Sequence, residues 1–303
     1  MNIGKLSFSE IIAVGFERRN VWFAARWLFT LFVSLMAFGT LSALLASNGF
    51  FVLDTVTNVI GALVVFSIAI VLSLGTVALA KASITKAKKV DAIAVVKSLF
   101  WKTAGALIIL GLGTAAVIGI AYGVGFLVKV PYVGETLMAL LLVPAVVVFA
   151  LAAVFFLVGT KLIFALLIDK PKLSALEAVK AFWNITKKAP EKLFFNFVLS
   201  VWPIGLTVLT AVLLVGFLAL LPYLAFGWAL PIYPLLEHAS MLGFSGLVEY
   251  SFAFAINYLY GVHWFINLLV GLGFFAVLSY ALGFVVSVSA AAYYSIYLDA
   301  SKK

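Results

Sequence analysis

Between Lys172 and Lys188 the chain reads KLSALEAVKAFWNITKK. On a wheel of about 100° per residue, Lys180, Asn184, Glu177, Lys187 and Lys188 gather on one side, and Phe182, Val179, Trp183, Leu176, Ala175 and Ala178 on the other. That is the pattern of an amphipathic helix. Ser174, with Glu177 three residues on, predicts a capping box at its start, and beyond Pro190 the chain enters a long apolar run. A short helix with lysines on one face and aromatic side chains on the other belongs at a membrane interface. Its lysines face water and its apolar side faces lipid or a helix bundle.

The surroundings agree. The 303 residues are 66% hydrophobic and only 10% charged, with 28 Phe and 23 Gly, which excludes an ordinary soluble domain. Uncharged stretches run from Trp27 to Leu53, Thr55 to Ala80, Thr103 to Val128, Thr136 to Thr160, Leu193 to Leu236 and Tyr250 to Leu298. A helical span needs about 20 apolar residues, so six spans are predicted. The first run is longer than the apolar region of a cleavable signal and is expected to serve as its own anchor. With no cysteine, disulfides, Cys-ligated metals, iron–sulfur clusters and thiol catalysis are excluded.

Charge sets the expected orientation. With six spans, both termini and the connections around residues 81–102 and 169–192 share one side. That side carries every basic residue except Lys129, Lys161 being counted there because a lysine near a helix end can snorkel. It is expected to be the cytoplasm by the positive-inside rule. Asp54, Glu135, Glu237 and Glu249 fall outside. The net charge of +9 is therefore a belt along one membrane face, and no recognition motif accompanies it that would suggest nucleic acid.

The opening stretch recurs. KVDAIAVVKSLF, Lys89 to Phe100, aligns without gaps to KLSALEAVKAFW, Lys172 to Trp183. A weaker copy, SEIIAVGFERRN, begins at Ser9, so that the caps Ser9, Asp91 and Ser174 lie 82 and 83 residues apart. Ser83 to Lys88 likewise matches Leu167 to Lys172 and Tyr297 to Lys302. A period this long is one supersecondary unit. The predicted fold is all-α, a single polytopic transmembrane bundle over residues 1–303, built from three parallel repeats near 7–86, 87–170 and 171–303. Each repeat would be an amphipathic cytoplasmic helix followed by a two-span hairpin.

A small cap followed by Ala178-Val179-Lys180 and Trp183, then a basic turn entering a span, with a tyrosine-rich exit at Tyr293, Tyr294 and Tyr297, resembles prokaryotic six-span membrane proteins. These are the YciC-like group and the membrane domain fused to some glycerophosphoryl diester phosphodiesterases. The resemblance covers most of the chain and implies a helical bundle without catalytic residues. The soluble phosphodiesterase domain has no counterpart here, so its activity is not carried over.

The third unit differs by an expected outer insertion near residues 221–262, carrying Pro222, Pro231 and Pro234. His238, Ser245, Glu249 and Tyr260 fall on one stripe if the segment is helical, as in a re-entrant or interfacial lid. His238, Glu249 and His263, with Glu237, are candidates for a metal or proton site. The reading the sequence favours over that site is that they are polar anchors of the lid. Gly111, Ala115, Gly119 and Gly123, at four-residue spacing, form a face that permits close helix packing. Gly111 and Gly113 make no dinucleotide fingerprint, since no strand precedes them.

No Ser, His and Asp set shares a face, and ionisable residues are almost absent from the first four spans. No enzymatic activity and no cofactor are expected. The sequence reads as a scaffold or accessory subunit of the cell membrane. It would bind anionic lipids or a membrane partner through Lys86, Lys88, Lys89, Lys97, Lys102, Lys172, Lys180, Lys187, Lys188 and Lys192. The other reading is a transporter of lipid or small molecules with a pathway between the repeats under the lid.

Overall fold

The computed structural model describes residues 2–87, 90–127, 134–188, 190–226 and 264–301. A short antiparallel pair, β1 (Asn2–Ile3) and β2 (Leu6–Ser7), opens the chain. Helices follow: α1 (Phe8–Gly15), α2 (Arg18–Ser47), α3 (Phe51–Ile84), α4 (Ala92–Leu127), α5 (Gly134–Asp169), α6 (Ala175–Lys188), α7 (Pro190–Phe226) and α8 (Trp264–Ala300). Among the described residues, five helices are long and apolar enough to cross a bilayer: Arg18–Ser47, Phe51–Ile84, Ala92–Ile120, Leu193–Leu213 and Phe275–Ala300. The chain is an all-α, multi-pass membrane protein. The expected insertion, with His238, Glu249 and His263, lies outside the described residues except where α7 runs on to Phe226.

Local chemistry explains the boundaries. Ser174 and Glu177 form the predicted capping box: the Ser174 backbone N–H and hydroxyl donate to Glu177 Oε2 at 2.8 and 2.9 Å, and the Glu177 N–H donates to Ser174 Oγ at 3.3 Å. Ser7 and Glu10 make the same reciprocal set at 2.7, 2.7 and 3.4 Å. The cap of α1 is therefore Ser7 and not Ser9, which lies inside the first turn, so the first copy of the motif begins two residues earlier than its sequence suggests. Asp91 caps α4 by accepting from the N–H groups of Ile93 and Ala94.

A second correction concerns the middle copy. KVDAIAVVKSLF makes no separate interfacial helix, since from Ala92 it runs without a break through Leu127. α6, by contrast, stops at Lys188 and α7 starts on Pro190. Proline disfavours helical backbone in the residue before it and suits the first position of a helix. α4 has no such residue near its start.

α3 ends in a Schellman turn: Ala87 N–H reaches Ala82 O at 2.8 Å and Lys86 N–H reaches Ser83 O at 3.2 Å. Lys86 takes the left-handed position with φ 56°, where glycine is usual.

Two compact units emerge, and their division cuts through α1, α3, α7 and α8. One comprises Met1–Glu10, Ser73–Val201 and Ala290–Lys303. Its interior holds Leu162 to Ile168 of α5, Val77 to Ala80 of α3, and Tyr294, Ile296 and Tyr297 of α8, all buried. The second comprises Ile11–Leu72 and Trp202–Ser289. Here Ala24, Leu28, Phe32 and Leu72 pack with Phe275, Leu278 and Leu282, and Phe32 stacks on Phe275 at 5.6 Å. α2 and α8 touch at Gly283, where a Cβ would lie 3.0 Å from Val21 O and 3.2 Å from Ala25 N.

Candidate functional site

α6 is held by its apolar face. Phe182 is 1% exposed and sits where α4 and α5 converge. A Cβ on Gly159 would lie 2.9 Å from its ring, and the Phe155 ring is 4.9 Å away. Ala178, one turn earlier, is fully buried. Ala175 rests against Gly105, where a Cβ would meet it at 3.2 Å. Trp183 flanks this contact, edge-on to Phe155 at 5.6 Å. The absence of side chains at Gly105 and Gly159 lets α6 seat against the two long helices.

On the opposite side Lys180, Lys187 and Lys188 are exposed. Among the described residues none of the three has a carboxylate at ion-pair distance. Lys187 lies over the Trp183 ring at 5.0 Å, a cation–π contact that steadies its stem and leaves its charge outward. Lys187 and Lys188 close the last turn, where the helix dipole favours cations.

The other predicted lysines are not equivalent to these. Lys102 donates to Pro171 O at 2.7 Å, which ties α4 to the α5–α6 connection. Glu177 stands among the basic groups, its pKa lowered first by the Ser174 N–H, then by the Ser174 hydroxyl, and further by the charges of Lys180 and Lys102. The start of α6 is thus a mixed-charge cluster, and the unopposed cations belong to its end. Lys86, Lys97 and Lys172 are exposed. Lys192 lies in the first turn of α7, and Lys88 and Lys89 fall outside the described residues.

The small-residue face of α4 meets α5 only at its Gly111 end among the described residues. A Cβ on Gly111 would meet the Phe156 ring at 3.8 Å, whereas at Gly119 and Gly123 it would meet nothing within 4 Å, and Ala115 is exposed. Close approaches occur instead at Gly15, Gly159 and Gly283, each a lone glycine without the four-residue spacing that draws attention in a sequence. Among the described residues no group of three His, Asp or Glu is placed to hold a metal.

The ends of α3, α5, α7 and α8 are joined by polar contacts that the sequence does not announce. Lys81 of α3 donates to Asp169 Oδ1 at 3.1 Å and to Ile168 O at 3.2 Å, and the Tyr297 hydroxyl of α8 donates to Asp169 Oδ2 at 3.0 Å. Asn196 of α7 donates to Asp299 at 3.3 Å and accepts from the Gly4 N–H at 3.3 Å. Ser295 accepts from the N–H groups of Lys5 and Leu6 at 3.0 and 2.9 Å and donates to Ile3 O at 2.7 Å. Asp169 and Asp299 occupy matching places in the aligned unit ends, the one signal that pointed to them.

Compared with protein families, with curated proteins and with solved structures, the chain finds no match.

Proposed function

We propose that this protein is a non-enzymatic membrane scaffold or accessory subunit whose α6 presents a fixed basic surface to anionic lipid headgroups or to an acidic membrane partner. The observation that carries this reading is the division of labour on α6. Phe182 and Ala178 are buried against α4 and α5, while Lys180, Lys187 and Lys188 are exposed on the other side, and among the described residues Lys187 and Lys188 at the end of the helix have no carboxylate at ion-pair distance. A helix needed only as a connection has no reason to be pinned with its lysines aligned on the exposed side.

In this reading α5 is the sixth span, since its uncharged run from Thr136 to Thr160 exceeds the roughly 20 residues a crossing needs. Both termini and the lysine-rich ends then share the cytoplasmic side of the cell membrane. The capped starts at Ser7, Asp91 and Ser174 support three units of one ancestry. The first is α1 to α3, the second α4 and α5, and the third α6 to α8.

Each lysine at headgroup depth adds about 1 kcal/mol of attraction to an anionic surface, screened within a Debye length of about 10 Å at 0.1 M salt. The variant carrying Lys180→Gln, Lys187→Gln and Lys188→Gln is expected to insert normally. It should lose retained anionic lipid, or a co-purifying acidic partner, in native mass spectrometry at low and moderate salt. Unchanged lipid and partner content would reduce α6 to a topological anchor.

A further inference from the structure

α5 carries one more cation, on the side away from α6. Val146, Ala153, Leu157, Lys161, Phe164 and Ile168 fall within an arc of about 80° on the helix, opposite the face that meets α6 through Phe155 and Gly159. Along this line the surroundings change. Val146 and Leu157 are 58% and 56% exposed, whereas Phe164 and Ile168 are 2% and 9% exposed. Lys161 stands at the changeover, between an exposed stretch and a stretch covered by protein. The ends of α3 and α8 reach α5 just beyond it, where Lys81 and Tyr297 bind Asp169.

Lys161 is half-buried and, among the described residues, has neither a hydrogen bond nor an ion pair. Lys81, near the end of α3, has Asp169. Reaching onward along its own helix is difficult for Lys161, because Phe164 and Ile168 are covered and because the Cα–Cβ bond in a helix tilts toward the N-terminus, here toward Leu157. An ammonium group partly out of water needs an anion.

We propose that Lys161 anchors one anionic phospholipid, its ammonium on the lipid phosphate and an acyl chain lying along Leu157, Ala153 and Val146. This site is separate from the basic surface of α6 and does not depend on it.

Delipidated full-length protein in neutral detergent is titrated with phosphatidylglycerol or phosphatidylcholine, and bound lipids are counted by native mass spectrometry. In the Lys180→Gln, Lys187→Gln, Lys188→Gln background, which removes the α6 surface, the first phosphatidylglycerol is expected to bind about fivefold more tightly than phosphatidylcholine, the factor one near-surface lysine supplies. Adding Lys161→Gln to that background removes the preference and adding Lys161→Arg keeps it. No preference in the triple variant, or an unchanged preference after Lys161→Gln is added, overturns the proposal. A measurement on the unmutated protein guards against misfolding. Acylation of Lys161 by an amine reagent, read by peptide mass, should slow with phosphatidylglycerol and not with phosphatidylcholine. Equal rates would likewise overturn it.

Discussion

Ser174 and Glu177 satisfy each other's donors in both directions, and Glu10 repeats this with Ser7, its carboxyl also held below the ordinary range by the Ser7 N–H and hydroxyl. A depressed carboxylate stabilises the fold fully above its unfolded value, and that contribution disappears as pH falls through the lowered folded value. The helicity of α6 is therefore expected to be constant above about pH 4.5 and to weaken below it. Glu177→Ala should flatten this dependence, followed by hydrogen exchange at Ala178 and Val179. A second residue-scale prediction concerns Phe182. Phe182→Ala empties a buried site and should cost about 3–5 kcal/mol. Gly159→Ala should also destabilise, because its new methyl meets the Phe182 ring. The two changes together should cost less than their sum, as thermal unfolding of the four proteins would show; strict additivity would mean that the two positions are not in contact. The capping box was legible because its chemistry is local, two side chains three residues apart. The Gly159–Phe182 contact was not, since nothing in the sequence says which glycine meets which ring.

Among the elements, the N-terminal hairpin depends on two features of the chain. Gly4 adopts φ +67°, and a Cβ there would lie 2.5 Å from Ser295 O. Any larger residue is strained in backbone and crowded against α8. Ser295 uses its hydroxyl fully, accepting two backbone N–H groups and donating to Ile3 O, and Ile3 is fully buried. Gly4→Ala and Ser295→Ala are each expected to release residues 2–7 to protease and to raise their amide exchange at least tenfold, a loss of about 1.4 kcal/mol or more, without loss of the apolar helices. Protection equal to that of the unmutated protein would show that the hairpin is held by other contacts. Seven residues with no β pattern gave no hint of this element, which exists through Gly4 and through partners nearly three hundred positions away. The difference between α4 and α6 was legible in principle. Both begin with the same motif, but only α6 is followed by a proline that ends the helix.

At the scale of the whole molecule, helices of 34 to 37 residues in α3, α4, α5, α7 and α8 are each about 50 Å long, against a hydrocarbon core of about 30 Å. In α5 and α8 the surplus is buried against protein at the lysine-bearing ends, where Leu162 to Ile168 and Tyr294 to Tyr297 form an interior. Hydropathy made the helical membrane class plain, because apolar runs bounded by charges report burial in lipid directly. It says nothing about the polar contacts of Asp169 and Asp299 or the exposed end of α6, because these depend on which helices meet. We propose that α5 is the sixth span, which would bring α6 and both termini to one cytoplasmic side. The natural absence of cysteine allows this to be measured without background. Single variants Ala87→Cys, Ala300→Cys, Asn48→Cys and Gly134→Cys, reconstituted in sealed vesicles of known orientation, are treated with a membrane-impermeant maleimide. Reaction of Ala87→Cys and Ala300→Cys from the cytoplasmic side alone, and of Asn48→Cys and Gly134→Cys from the outer side alone, is the predicted result. Labelling of Ala300→Cys from outside would contradict it.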